Sequence, residues 1–116
     1  MAFKTCLLDE ALARRRATME RTRRAVLAEL VRLLGEWGPR YGIHHAYIFG
    51  SITRPGHFTE DSDVDIAVER MVPEDYFLAM SAFASALGRE VDLIELDRCH
   101  FAHRIRERGI KWTKEP

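Results

Sequence analysis

A chain of 116 residues, 47% of them apolar, has material for one hydrophobic core and not for two domains. Its 18 Lys and Arg balance 18 Asp and Glu, so no overall basic excess recruits nucleic acid or a membrane surface, and direct nucleic-acid binding is not expected. The balance is uneven along the chain: residues 1–40 hold nine basic and five acidic side chains, residues 41–97 three and eleven, and residues 98–116 six and two, a central negative field that suits a cation and repels a bare polyanion.

The first predicted element is helical. From Leu7 to Gly35 there is no Pro and no interrupting Gly, and Leu27, Leu30, Val31, Leu34 and Trp37 follow the i, i+3, i+4, i+7 rule for one helix face. Leu8, Leu12, Met19 and Val26 continue it more sparsely, among Arg14, Arg15, Arg16, Arg21, Arg23 and Arg24. These arginines read either as a solvated face or as a partner-binding arm. One long helix, or two nearly collinear ones, would span about 43 Å. A compact domain of this size has a radius of gyration of only about 13 Å, so part of the helix should overhang unless it bends.

Gly38-Pro39 ends that helix, and His44 to Phe49 reads as a strand. A loop containing Pro55-Gly56 leads to a second strand starting near Asp63. Pro73 opens a second helix, with Glu74 and Asp75 near its positive end, Gly88 as its stop, and Phe77, Met80, Ala84 and Leu87 as its buried side. A third strand covers Glu90 to Leu96, a short helix His100 to Arg108, and a last strand Ile110 to Thr113. The order α-β-β-α-β-α-β predicts an α/β (α+β) fold, a small sheet covered by helices. Residues 1–116 are expected to form a single domain, with a helical segment at 1–38 and an α/β core at 43–113. Cys6 and Cys99 form no CxxC pair, which fits free thiols in a reducing compartment. With no apolar run of signal-peptide or membrane-spanning length, a cytoplasmic location away from membranes is expected.

The stretch from Tyr47 to Glu69, YIFGSITRPGHFTEDSDVDIAVE, carries the chemistry. In the second strand Asp63 and Asp65 leave on one face while Val64, Ile66 and Val68 leave on the other. Two carboxylates roughly 6 to 7 Å apart at the backbone are unfavourable without a cation. A hard cation with oxygen ligands, Mg²⁺ above all, removes that conflict and leaves positions open for phosphates. If the third strand lies beside the second, Asp92 completes the cluster, and three acids are what a two-metal phosphoryl-transfer site requires. Gly50-Ser51, at the end of the first strand, lets a phosphate approach the backbone, and Arg54 could neutralise further charge. An EF-hand starting at Asp61 fails, because Ile66 and Val72 stand where Gly and Glu are needed. His100 and His103, three apart, read as surface histidines rather than a metal pair.

Gly50-Ser51, then Asp63-Val64-Asp65, then a lone Asp92 on a later strand resembles the minimal nucleotidyltransferase family within the DNA polymerase β superfamily. The resemblance covers most of residues 25–113. It implies a palm-like nucleotidyltransferase fold with a mixed sheet. It also implies that Asp63 and Asp65 are metal ligands for one or two Mg²⁺, that Asp92 is the third carboxylate and the base that activates the attacking hydroxyl, and that Gly50 and Ser51 hold the phosphates of ATP. Two departures stand out: the loop between Ser51 and Asp63 is one residue longer than the family's, and Ile52 replaces an Arg common after the Ser. Arg40, His45 and Tyr47 spell R-x4-H-x-Y, similar to the RNase motif of HEPN proteins. That motif sits on a helix, and here it crosses Gly42 into a strand, so it reads as a coincidence.

The resemblance implies transfer of AMP from ATP to a hydroxyl, with the acceptor supplied by a HEPN-type helical partner whose tyrosine is adenylylated and whose toxicity is thereby silenced, an antitoxin role. The overhanging N-terminal helix would be the docking surface for that partner or for a second copy of the chain. Two alternatives stay open: a non-catalytic module that neutralises its partner by contact, and a transferase acting on a small aminoglycoside-like molecule.

Overall fold

Alternating apolar residues settle into four strands, β1 His45–Phe49, β2 Val64–Val68, β3 Val91–Glu95 and β4 Ile110–Thr113, joined in one sheet of order β3-β2-β1-β4. A computed structural model describes the backbone of residues 2–114 and the side chains of residues 6–114. β1 pairs antiparallel with both β2 and β4, whereas β2 and β3 run parallel. The parallel pair needs a crossover, and helix α2, Pro73–Leu87, supplies it. The sheet is therefore mixed, as expected.

Each sheet face has its own core. On one side Ala46, Ile48, Ile66, Val68 and Leu93 pack under α2 and helix α1, Ala2–Trp37. On the other, Tyr47, Ala67, Leu96, Ala102 and Ile105 form a smaller cluster beneath helix α3, Ala102–Arg108. Asp65 shares the parity of Ala67 along β2 and therefore faces the α3 side. That side is covered lightly, and it is where the acids stand.

The N-terminal helix is a single element. Residues 6–18 are all exposed, and burial begins only near Arg23 and Leu30. The chain measures 60 × 28 × 25 Å with a radius of gyration of 16.8 Å, above the roughly 13 Å of a compact chain of this length, so the overhang is real. The buried stripe differs by one position from the expected one: Leu30, Leu33 and Leu34 are buried while Val31 is 40% exposed. α2 shows a similar rotation. Ala79 and Phe83 are its buried residues, Met80, Ala84 and Leu87 flank them, and Phe77 is exposed. In both helices the apolar stripe is wider than the contact, and the packing direction chooses which edge stays in water. Among the described residues no helix is long and apolar enough to cross a membrane.

Candidate active site

The strand pairing brings the acids together. Asp65 and Asp92 are direct partners in the parallel register of β2 and β3, so their side chains leave the same face at neighbouring positions. Asp63 lies one residue ahead of β2, where the amide of Val64 already donates to the carbonyl of Glu90 at 3.0 Å. Asp65 is half-buried and its pKa is pushed up to about 6, by burial first, then by the charges of Asp92 and Asp63, and last by a hydrogen bond shared with Asp92. None of the salt bridges among the described residues involves Asp63, Asp65 or Asp92.

Gly50 stands against this group. Phe49 pairs with Asp65 across β1 and β2, which sets the next residue over the carboxylate. A Cβ on Gly50 would lie 2.2 Å from Asp65 Oδ2, and the backbone there has φ +82°. Both the space and the conformation require glycine. The chain then turns through a 3-10 segment, Gly50–Thr53, in which the Thr53 hydroxyl donates to the Gly50 carbonyl at 2.7 Å. The Ser51 hydroxyl enters none of the hydrogen bonds among the described residues. Arg54 follows at the end of the turn with its side chain exposed.

Two arginines missed in the sequence hold this frame. Arg23, on the buried side of α1, donates from Nη1 to the carbonyl of Ile52 at 2.9 Å, while its Nε and Nη2 bind the two oxygens of Glu20 at 2.6 and 2.7 Å. Ile52, where the family pattern has Arg, is fully buried in the main core. Arg89 donates from Nη1 to the carbonyls of Thr59 and Ser62 at 2.9 and 3.0 Å and lies 4.4 Å over the ring of buried Phe58. The longer loop is thereby fastened just before Asp63. The signal available was weak: a charged residue in an apolar stripe, and an Arg next to the Gly that stops a helix.

Three oxygen donors of like charge, one of them with its pKa raised by burial and by the other two, match the chemistry of a hard divalent cation. Among the described residues, however, no three His, Cys, Asp or Glu side chains converge on one cation position. Asp92 is exposed on the edge strand and Asp63 precedes its own strand, so the acids are neighbours without being drawn to a point. His100 and His103 belong to no such group either, and the described cysteines are free thiols. His45 and Tyr47 stand on β1, after the left-handed Gly42 that closes the turn carrying Arg40, so the helical R-x4-H-x-Y arrangement does not form. A cavity of about 780 Å³ opens at the β3 edge of the sheet, between Tyr76 and Phe77 of α2 on one side and Ile94, Arg98 and Phe101 on the other, and Asp63, Asp65 and Asp92 do not line it.

A mixed sheet carrying paired aspartates beside a glycine-serine turn defines a nucleotidyl-transfer fold. The family model "Polymerase beta, Nucleotidyltransferase" matches residues 39–113, more than half of the chain, and the chain belongs to that family. A solved structure described as a "putative minimal nucleotidyltransferase" superposes with a TM-score of 0.54 at 23% identity, covering 82% of this chain and 93% of that one. It shares the fold. No curated protein matches the sequence.

Proposed function

We propose that the protein transfers AMP from ATP to a hydroxyl group, with Mg²⁺ held by Asp63, Asp65 and Asp92. The observation that carries this reading is the register that sets Asp65 beside Asp92 and directly under Gly50. Bound Mg²⁺ would supply charge neutralisation at the transferring phosphorus and at the leaving oxygen. The chain's own residues do the rest. Gly50, lacking a side chain, lets the turn lie against the Asp65 carboxylate, and the Ser51 hydroxyl donates to the phosphate oxygens. Asp92, exposed at the sheet edge, accepts the proton of the attacking hydroxyl, and the packed face of β1 and β2 keeps Asp65 fixed while it does so.

The acceptor in this reading is a tyrosine of a HEPN-type helical partner, and the activity is that of an antitoxin, as the motif resemblance implies. The cavity at the β3 edge offers aromatic walls, Tyr76, Phe77 and Phe101, to such a side chain. The overhanging part of α1 supports docking of the partner, with Leu7, Leu8 and Leu12 between 43% and 60% exposed. One observation favours a second reading, neutralisation by contact alone: no three acids converge on a cation among the described residues. The test is to co-express the chain with its partner and replace Asp63 and Asp65 by Asn. Loss of both partner labelling and neutralisation supports transfer; intact neutralisation by the variant assigns the protein to the contact class.

A further inference from the structure

Helix α2 carries no charged side chain from Tyr76 to Leu87, yet much of that run faces water. Phe77 is 66% and Leu78 59% exposed, and Ser81, Ser85 and Ala86 are exposed with them. The exposed face of α3, by contrast, holds Arg104, Arg106, Glu107 and Arg108. A single exposed Leu means little, but a helix face bare of charge is one that something covers. Two hollows flank Phe77 along the β3 edge, and Phe77 lines both. The cavity of about 780 Å³ carries Arg70 and Arg98 with Glu95. The other, of about 400 Å³, is walled by Met80, Ser81, Ala84 and Val91 and carries Glu90 and Asp92 with no basic residue. Arg70, Arg98, Glu90 and Asp92 enter none of the salt bridges among the described residues. The strand edge beneath is partly closed. The Glu90 carbonyl accepts from Val64 of β2, so the Leu93 carbonyl, of opposite parity, faces outward, and it takes the Tyr76 hydroxyl. Contact on this face is therefore made by side chains and not by an added strand.

We infer that this face joins two copies of the chain, related by a two-fold axis that crosses α2 between Phe77 and Ser81. A two-fold contact must be complementary to itself, and this face is so in both shape and charge. Pro73, Phe77, Ser81 and Ser85 follow one another at four-residue spacing on one side of α2. In antiparallel order Phe77 of each copy meets Ser81 of the other and Pro73 meets Ser85, bulky against small, and the Phe77 ring enters the smaller hollow. The same rotation lays the end bearing Arg70 and Arg98 over the end bearing Glu90 and Asp92, twice, with opposite charges facing. Because Phe77 also walls the larger cavity, the pair covers that cavity. A second copy and an acceptor side chain then compete for one face: the free chain rests as a dimer, and the partner opens it. That competition rests on the nucleotidyl-transfer reading; the contact itself does not.

The test is sedimentation of the full chain without its partner over a concentration series. The wild type is expected to form a dimer, and Phe77→Asp to raise its dissociation constant at least about tenfold. Leu8→Lys/Leu12→Lys should leave the dimer unchanged. Glu90→Lys should weaken it, and Glu90→Lys/Arg98→Glu should restore it. A wild type that stays monomeric, a dimer lost with the α1 lysines and kept in Phe77→Asp, or a charge exchange that restores nothing overturns the inference. So does a monomeric chain in which Phe77→Asp abolishes co-purification with the partner, which gives the face to the partner instead. Should Phe77→Asp fail to fold by circular dichroism, Ser81→Arg, which fills the facing hollow, carries the same expectation. A Phe77-dependent dimer in a chain that labels no partner would keep the contact and remove the transferase reading. Transfer by a chain that never dimerises would do the reverse.

Discussion

Arg23, in the middle of α1, donates to the carbonyl of Ile52 at 2.9 Å, so the long helix is fastened to the turn that carries Gly50 and Ser51. The same guanidinium holds Glu20 by two hydrogen bonds, which raises its own pKa and lowers that of Glu20. Arg23→Met keeps much of the apolar stem and removes the donor. It should lower stability by about 1–3 kcal/mol, the cost of leaving a buried carbonyl unpaired, and raise the KM for ATP more than it lowers kcat. Urea unfolding and steady-state kinetics read both.

Gly50→Ala should be more severe for function. The new Cβ falls 2.2 Å from Asp65 Oδ2 at a backbone angle that side chains rarely adopt. Either the carboxylate or the turn must move. A loss of about 1–3 kcal/mol in stability is expected from strain of this kind, together with near-complete loss of nucleotide binding, measured by calorimetry with ATP.

Asp65 sets a pH dependence whose sign can be worked out. The folded protein holds this proton to about pH 6 while an ordinary carboxyl releases it at 3.8, so the folded state binds more protons between those values. The stability contributed by this group is complete below pH 3.8 and is lost as pH rises through about 6. Asp65→Asn removes the loss. Because the carboxyl is half-buried, solvent screening leaves about 1 kcal/mol of effect, a Tm rise of about 4 °C at about pH 8. Millimolar Mg²⁺ should raise the wild-type Tm at that pH and leave Asp65→Asn unmoved. Thermal scans with and without EDTA check the pair of claims.

The N-terminal overhang should behave as an arm. Leu8 is 60% and Leu12 43% exposed, so Leu8→Lys/Leu12→Lys should change stability by no more than about 0.5 kcal/mol while abolishing association with the partner. Denaturant midpoints and co-purification separate the two effects. Partner binding that survives both lysines would move docking to another face.

The acid group was legible because strand alternation is strict: once β2 and β3 are neighbours, one register puts Asp65 beside Asp92 and faces their apolar neighbours the other way. The order of elements and the Gly88 stop were legible for the same reason, since local chemistry decides them. The rotation of the helices was not. Val31 and Leu33, or Phe77 and Phe83, differ only in which edge of an apolar stripe meets the sheet, and that depends on residues far off in the chain. The roles of Arg23 and Arg89 were hidden as well. Arg23 stands among arginines that remain in water, and nothing local marks the one whose stem runs into the core toward a carbonyl 29 residues away.

The most direct measurement supplies the chain and its partner with ATP carrying label on the α phosphate in one reaction and on the γ phosphate in another. The account predicts that the α label becomes attached to the acceptor while the γ label is released as pyrophosphate, and that both changes vanish in Asp65→Asn. Attachment of the γ label, or release of pyrophosphate that persists without Asp65, would contradict it.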